Sequence, residues 1–169
     1  MSAKEPSPFQ VVVQPWVSLA ARLILGGALL AAGLLKITDL TQSVVAVQAY
    51  QLPIPAYMES IIGYGQPIVE ILVGAIIIAG LATRWSGLLG GLAMLVFIGG
   101  IISVWARGLS IDCGCFTPGG LLDDAEATKY AWDIVRDSGF LACAVWLVVF
   151  PASRFALGGW INSPTEQEA

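Results

Sequence analysis

Three cysteines and no histidine bound the chemistry open to this 169-residue chain. Cys113 and Cys115 stand one glycine apart in the stretch Arg107-Gly108-Leu109-Ser110-Ile111-Asp112-Cys113-Gly114-Cys115-Phe116. A disulfide needs alpha carbons about 4.4–6.8 Å apart, a span that residues i and i+2 can reach. The ring so closed is small and strained, and Gly114 supplies the backbone freedom that closure demands. Strain makes a disulfide more reducible and hence more oxidising. Such a bond suits exchange better than stapling. A purely structural disulfide and half of a metal site stay open as rivals. Structural zinc takes four ligands, so a metal here would need a partner chain or a second copy. Cys143, flanked by alanines in an apolar run, reads as an inert buried thiol.

The charged residues near the pair pull in opposite directions. Arg107 would lower the pKa of a neighbouring thiol and Asp112 would raise it, and only the thiolate is nucleophilic. Lys36, in Gly33-Leu34-Leu35-Lys36-Ile37-Thr38-Asp39, either snorkels to the interface or pairs across helices with Glu70. Glu70 itself has two readings. An ionisable group at membrane depth is a functional candidate, whereas a glutamate in the first turn of a helix is simply favoured by the dipole. Arg136 and Asp137 open the last apolar segment, and Arg22 reads as snorkelling to the opposite surface.

The elements that must position these residues are membrane spans. Hydrophobic residues make up 57% of the chain and charged ones 12%, with a mean hydropathy of +0.80. A soluble domain carries about 25% charged residues, so lipid is the expected solvent. A spanning helix needs roughly 20 apolar residues. Four candidates run from Trp16 to Ile37, around Ile68–Leu81 (starting as early as Ala56 with a kink at Pro67), from Trp85 to Trp105, and from Val135 to Phe150. Val44, Val45, Val47 and Tyr50 form the sticky face of a helix lying on the membrane between the first two spans. Only Ala82–Arg84 separate the second and third, which forces a tight antiparallel hairpin. The final loop adds the turn Thr117-Pro118-Gly119-Gly120 and the acidic run Asp123-Asp124-Ala125-Glu126. Recurring glycines, among them Gly26, Gly33, Gly74, Gly87 and Gly91, read as close helix packing.

The expected fold is therefore all-α, a polytopic four-helix membrane bundle over residues 16–151, with cytoplasmic tails at 1–15 and 152–169. The first tail lacks a basic n-region and a cleavage site, so the first span is expected to be retained. No basic cluster suggests nucleic acid. Four alternating spans gather Lys36, Asp39, Glu59, Glu70, Arg107, Asp112, Cys113, Cys115 and Arg136 at one face, and Lys4, Arg22, Arg84 and Arg154 at the other. Lys and Arg divide four against four, so the positive-inside rule ties. Paired cysteines act outside the reducing cytosol, which places their face extracytoplasmic and both termini inside.

With these residues in place, the chain resembles the DoxX-like superfamily of four-helix membrane proteins, and most closely the methylamine-utilisation MauE family. The resemblance spans about residues 16–150. It rests on Gly33-Leu34-Leu35-Lys36, Tyr50-Gln51-Leu52-Pro53, Pro67-Ile68-Val69-Glu70 with Gly74, Arg107-Gly108 leading into Asp112-Cys113-Gly114-Cys115-Phe116, and Trp132 with Arg136-Asp137. It implies a membrane protein tied to maturation of disulfide-bearing extracytoplasmic proteins, beside a thioredoxin-like partner. The chain is also similar to four-helix membrane enzymes that pass electrons from thiols to quinone, although it lacks their Cys-x-x-Cys. The expectation is thus a membrane thiol–disulfide oxidoreductase. Cys113 and Cys115 are its redox pair, Arg107, Lys36, Glu70, Asp112 and Arg136 support them, and quinone is the candidate electron acceptor. The rivals are a scaffold with a structural disulfide and a metal- or solute-handling protein built on Glu70.

Overall fold

The computed structural model describes residues 12–117, 119–122 and 129–158. The acidic run at 123–126, Pro118, Lys4 and most of both tails lie outside them. The described chain is mostly helical: α1 (Gln14–Ile37), α2 (Leu40–Ala49), α3 (Ala56–Ala79), α4 (Thr83–Ala106) and α5 (Tyr130–Val149). Two two-residue strands, β1 (Ile111–Asp112) and β2 (Gly120–Leu121), pair antiparallel with Ile111 opposite Leu121 and Asp112 opposite Gly120. This short ladder, which ties off the base of the cysteine loop, is the departure from an all-helical chain.

Three helices, α1, α3 and α4, are each 24 residues long and apolar enough to cross a membrane. They are also inside-out by the standards of a soluble protein. Leu23, Ile24, Leu88, Leu92, Leu95 and Val96 are all more than half exposed, and lipid is the solvent that such a surface fits. α3 runs unbroken from Ala56 through Pro67. The apolar segment expected around Ile68–Leu81 is thus the second half of one longer helix. Glu70 sits at mid-helix, far from the first turn, which removes the dipole reading. α5 begins at Tyr130, five residues before the expected start, so Arg136 and Asp137 lie within it rather than at its end.

Glycine sets the packing of α1 on α3. A Cβ on Gly33 would lie 2.7 Å from the Pro67 carbonyl, and one on Gly74 would lie 2.7 Å from the Leu30 nitrogen. The backbones touch there, as small residues permit between lipid-embedded helices. Gly87 and Gly91 similarly admit Leu147 and Ala144 of α5 against α4, whereas Gly27 and Gly99 face open space. Leu25, Leu29, Ile77, Met94, Ala144 and Leu147 fill the centre where these two helix pairs meet. A second core of Ala49, Ile101, Val104, Ile111 and Tyr130 lies under the cysteine loop. α3 ends at Gly80, whose φ of +70° begins the turn into α4.

α2 does not spend its whole apolar face on lipid. Val44 and Val47 are buried in the protein, and Val44 packs where Gly63 of α3 leaves room. Val45 alone of the three valines stays exposed. α2 is consequently a platform that ties α3 to the cysteine loop.

Candidate functional site

Asp112 organises the turn that carries the cysteines. Its Oδ1 accepts from the Gly114 amide (2.9 Å) and from the Thr117 hydroxyl. Gly114 adopts φ +70°, a left-handed conformation that costs a residue with a Cβ. Gly119 closes the turn from the far side, where an added Cβ would sit 2.7 Å from Ala46 of α2 and 2.9 Å from the Gly114 Cα. Gln42 of α2 donates to the Gly119 carbonyl (3.0 Å), and the Tyr50 hydroxyl donates to the Cys113 carbonyl (3.1 Å). From α5, the Tyr130 hydroxyl accepts from the Ile111 amide (2.8 Å) and donates to the Leu109 carbonyl (2.6 Å). The loop is thus held on three sides by side chains. Tyr130 and Gln42 carried no signal in the sequence; Tyr50 was expected on the membrane-facing side of α2 and instead holds the loop.

Both thiols are free, and they are unequal. Cys115 is buried at 7% exposure, while Cys113 is half-buried. The neighbouring Cys115 lowers the Cys113 pKa; burial opposes this, and the Cys115 backbone and Arg136 lower it further. Cys115 is pushed up, chiefly by its interaction with Cys113, and further by burial and by the negative charges of Cys113 and Asp137. Lys36 works against that rise. Cys113 is therefore the more acidic thiol of the two and Cys115 the more basic. Burial and the nearby cysteine charges also push the Tyr50 phenol up, so it stays a donor to the loop. With the pair reduced and the pH near neutral, iodoacetamide should alkylate Cys113 at least about ten-fold faster than Cys115, because alkylation tracks thiolate content and access. Peptide mapping after a short pulse reads the ratio; equal labelling would remove the asymmetry.

Arg136 is the cation at the sulfurs. It lines one cleft with Cys113, lies 5.0 Å over the Phe116 ring and pairs with Asp133 (2.9 Å) and Asp137 (2.9 Å). Arg107 stands elsewhere. It is exposed and donates to the carbonyls of Ser103 (3.2 Å), Tyr50 and Gln51 (3.0 Å), which pins the end of α2 to the end of α4. Asp112 acts on the turn through hydrogen bonds, and neither Arg107 nor Asp112 sets the Cys113 shift.

Lys36 and Glu70 form a buried pair, Nζ to Oε1 at 2.7 Å and to Oε2 at 3.0 Å, with Gln66 donating to Oε1 at 3.0 Å. Helix geometry explains the meeting. Side chains lean toward the N-terminus of their own helix. In the antiparallel α1/α3 pair, Lys36 leans inward from the cysteine end while Glu70 leans out toward it. Arg22 at the other end does not reach a surface. It is 1% exposed and donates to the carbonyls of Ile77 (3.0 Å) and Ile78 and to Ser153 and Arg154 beyond α5. The snorkelling expectation fails because the terminal carbonyls of α3 need donors that lipid cannot supply.

A cavity of about 340 Å³ lies between α2, α3, α4 and the loop, with Lys36, Tyr50, Gln66, Phe97, Cys113 and Cys115 in its wall. Among the described residues, no group of three Cys, Asp or Glu side chains is placed to hold a metal. Helices of membrane length with lipid-facing flanks define a multi-pass membrane protein, here with a thiol pair gathered at one end. Residues 14–150 match the family described as methylamine utilisation protein MauE, and the chain belongs to that family. No curated protein and no solved structure matches it.

Proposed function

We propose that this protein is a membrane thiol–disulfide exchange protein whose Cys113–Cys115 pair cycles between dithiol and disulfide at the extracytoplasmic face. The unequal thiols carry the reading. A half-buried Cys113 with its pKa lowered, beside a buried Cys115 with its pKa raised, is the division of labour that exchange needs: one sulfur attacks, the other resolves. Arg136 supports the attacking thiolate and Asp112 holds the turn. α5 would be the fourth span, seated on α4 through Gly87 and Gly91, which returns the C-terminus to the cytoplasmic side with the N-terminus. The partner would be an extracytoplasmic, thioredoxin-like protein. The family's description names methylamine utilisation, the process this exchange would serve.

The cavity fits a lipid-borne acceptor. Its rim residues Ile62 and Val96 are exposed on helices of membrane length, its wall holds both cysteines, and Lys36, Gln66 and Ser103 offer donors to carbonyl oxygens. A quinone bound there would supply a two-electron, two-proton sink.

The test is capture of the mixed disulfide. In a Cys143→Ala background, Cys115→Ser removes the resolving thiol, so an adduct at Cys113 should accumulate and vanish with reductant. Cys113→Ser should trap little, and the double variant none. A wild-type pair that stays oxidised through substrate turnover, with no adduct in either single variant, would leave the scaffold reading in its place.

A further inference from the structure

Closing the Cys113–Cys115 bond requires Cys115, 7% exposed, to lose a proton in a place water reaches poorly, so an acceptor is needed close by. Asp137 is 1% exposed, on the α5 face that meets the loop. Its Oδ1 is engaged by Arg136, with Nε at 2.9 Å; Nη2 also lies 2.9 Å from Oδ1 but without hydrogen-bond geometry. Its Oδ2 has no hydrogen-bond partner among the described residues. An orphaned buried carboxylate oxygen is costly and calls for a reason. That oxygen's side chain lines a space of about 10 Å³ together with Cys115, Glu70, Phe97, Phe116 and Phe140, a volume of the order that one water molecule fills. Glu70 in the same wall is a poorer acceptor, since Lys36 and Gln66 occupy both of its oxygens.

We infer that Asp137 is the proton acceptor for Cys115 when the disulfide closes and the donor when it opens. This rests on the exchange reading above. In the closing direction the Cys113 thiolate attacks an acceptor disulfide, whose bond breaks and whose far sulfur leaves as a thiolate. The Cys115 thiol then passes its proton to Asp137 Oδ2, directly or through one water. Its sulfur attacks Cys113, forming the internal bond and expelling the acceptor's second thiolate. Two electrons pass to the acceptor, and one proton rests on Asp137. When a substrate dithiol reduces the pair, the same proton returns to Cys115 as it leaves. The groups facing Asp137 are Arg136 and Asp133 on its own helix, Lys36 from α1, Glu70 from α3 and Cys115 from the loop; α4 contributes the uncharged Met94 and Phe97.

A nitrobenzoate disulfide whose released thiolate is coloured separates the two steps, using the full chain in detergent with Cys143→Ala. The first equivalent released reports attack by Cys113, and the second reports closure by Cys115. Asp137→Asn should slow the second phase by about a hundred-fold near neutral pH, in the range of a lost general base, with the first phase no slower. Asp137→Glu should restore most of the rate. Closure in the wild type should be nearly independent of pH from about 6 to 8, and in Asp137→Asn it should rise with hydroxide, about ten-fold per unit. A hydroxide-dependent wild type, readable even if the asparagine variant fails to fold, overturns the inference, as does equal closure in both proteins. A wild type that never releases the second equivalent instead overturns the exchange reading itself.

Discussion

Glu70→Leu should destabilise the folded protein by about 3–5 kcal/mol, the usual cost of removing one member of a buried ion pair. For a chain of this size that corresponds to a fall of roughly 10 °C in melting temperature. Glu70 is 3% exposed and holds Lys36 by two contacts. Without it the ammonium must either stay buried unpaired or swing out to the membrane surface, abandoning its contact 5.7 Å from Phe97. Lys36→Met with Glu70→Leu should recover to within about 1 kcal/mol of the wild type, because an apolar pair of similar volume has no charge to desolvate. Melting of the two singles and the double in detergent completes the cycle. Additive losses would show that the two groups do not pair. The double variant also separates stability from chemistry. Lys36 is a cation that holds the Cys115 thiol down, so a fully folded double variant should still close its disulfide more slowly.

That pair illustrates how much of the site was legible in advance. The residue types were visible: two ionisable groups in apolar helices, antiparallel by the alternation of spans, are natural partners. Their depth was not, because it depends on where α3 begins. Pro67 suggested a break, since proline removes a helical hydrogen bond. In lipid a segment that leaves the helix loses every backbone partner, so the helix continues through the proline. The start of α5 was misplaced for the opposite reason. Arg136 and Asp137 open an apolar run, yet they pair with each other and Arg136 also pairs with Asp133, so the helix carries them in its interior.

The identity of the cation at the thiols shows where chain distance misleads. Arg107 is close to Cys113 in sequence, but the turn at Gly108, with φ +68°, and strand β1 come between them, and its guanidinium is spent on the carbonyls that end α2. Arg136 is remote in sequence and shares a cleft with Cys113 because α5 packs beneath the loop. Only the fold supplies that juxtaposition. The cysteine turn itself was more local, and the left-handed Gly114 agrees with the need for glycine between the two cysteines.

At the opposite end, Arg22→Leu should cost at least about 3 kcal/mol, because four hydrogen bonds to a charged donor vanish and buried carbonyls lose their partners. The last turn of α3 leaves carbonyls without helical donors. Gly80 and Leu81 amides take those of Ile77 (3.0 Å) and Ile76 (3.2 Å), and Arg22 supplies the rest by reaching Ile77 again and Ile78. Its positive charge also lies at the negative end of the helix dipole. The remaining edge of the guanidinium holds Ser153 (3.0 Å) and the Arg154 carbonyl (3.2 Å), so one side chain joins α1, α3 and the segment after α5. Gly80 is fitted to this use, since a Cβ there would overlap the guanidinium. Arg22→Lys keeps the charge but loses the planar fork, and an ammonium cannot serve both sides at once. It should recover less than half of the lost stability. It should also free the segment beyond α5, so that trypsin cuts after Arg154 several-fold faster than in the wild type. Melting and the rate of that cleavage, read on the same detergent preparations, test the two parts separately. If Arg22→Lys matches the wild type in both, charge alone suffices and the three-way tie has no role in holding this end of the bundle.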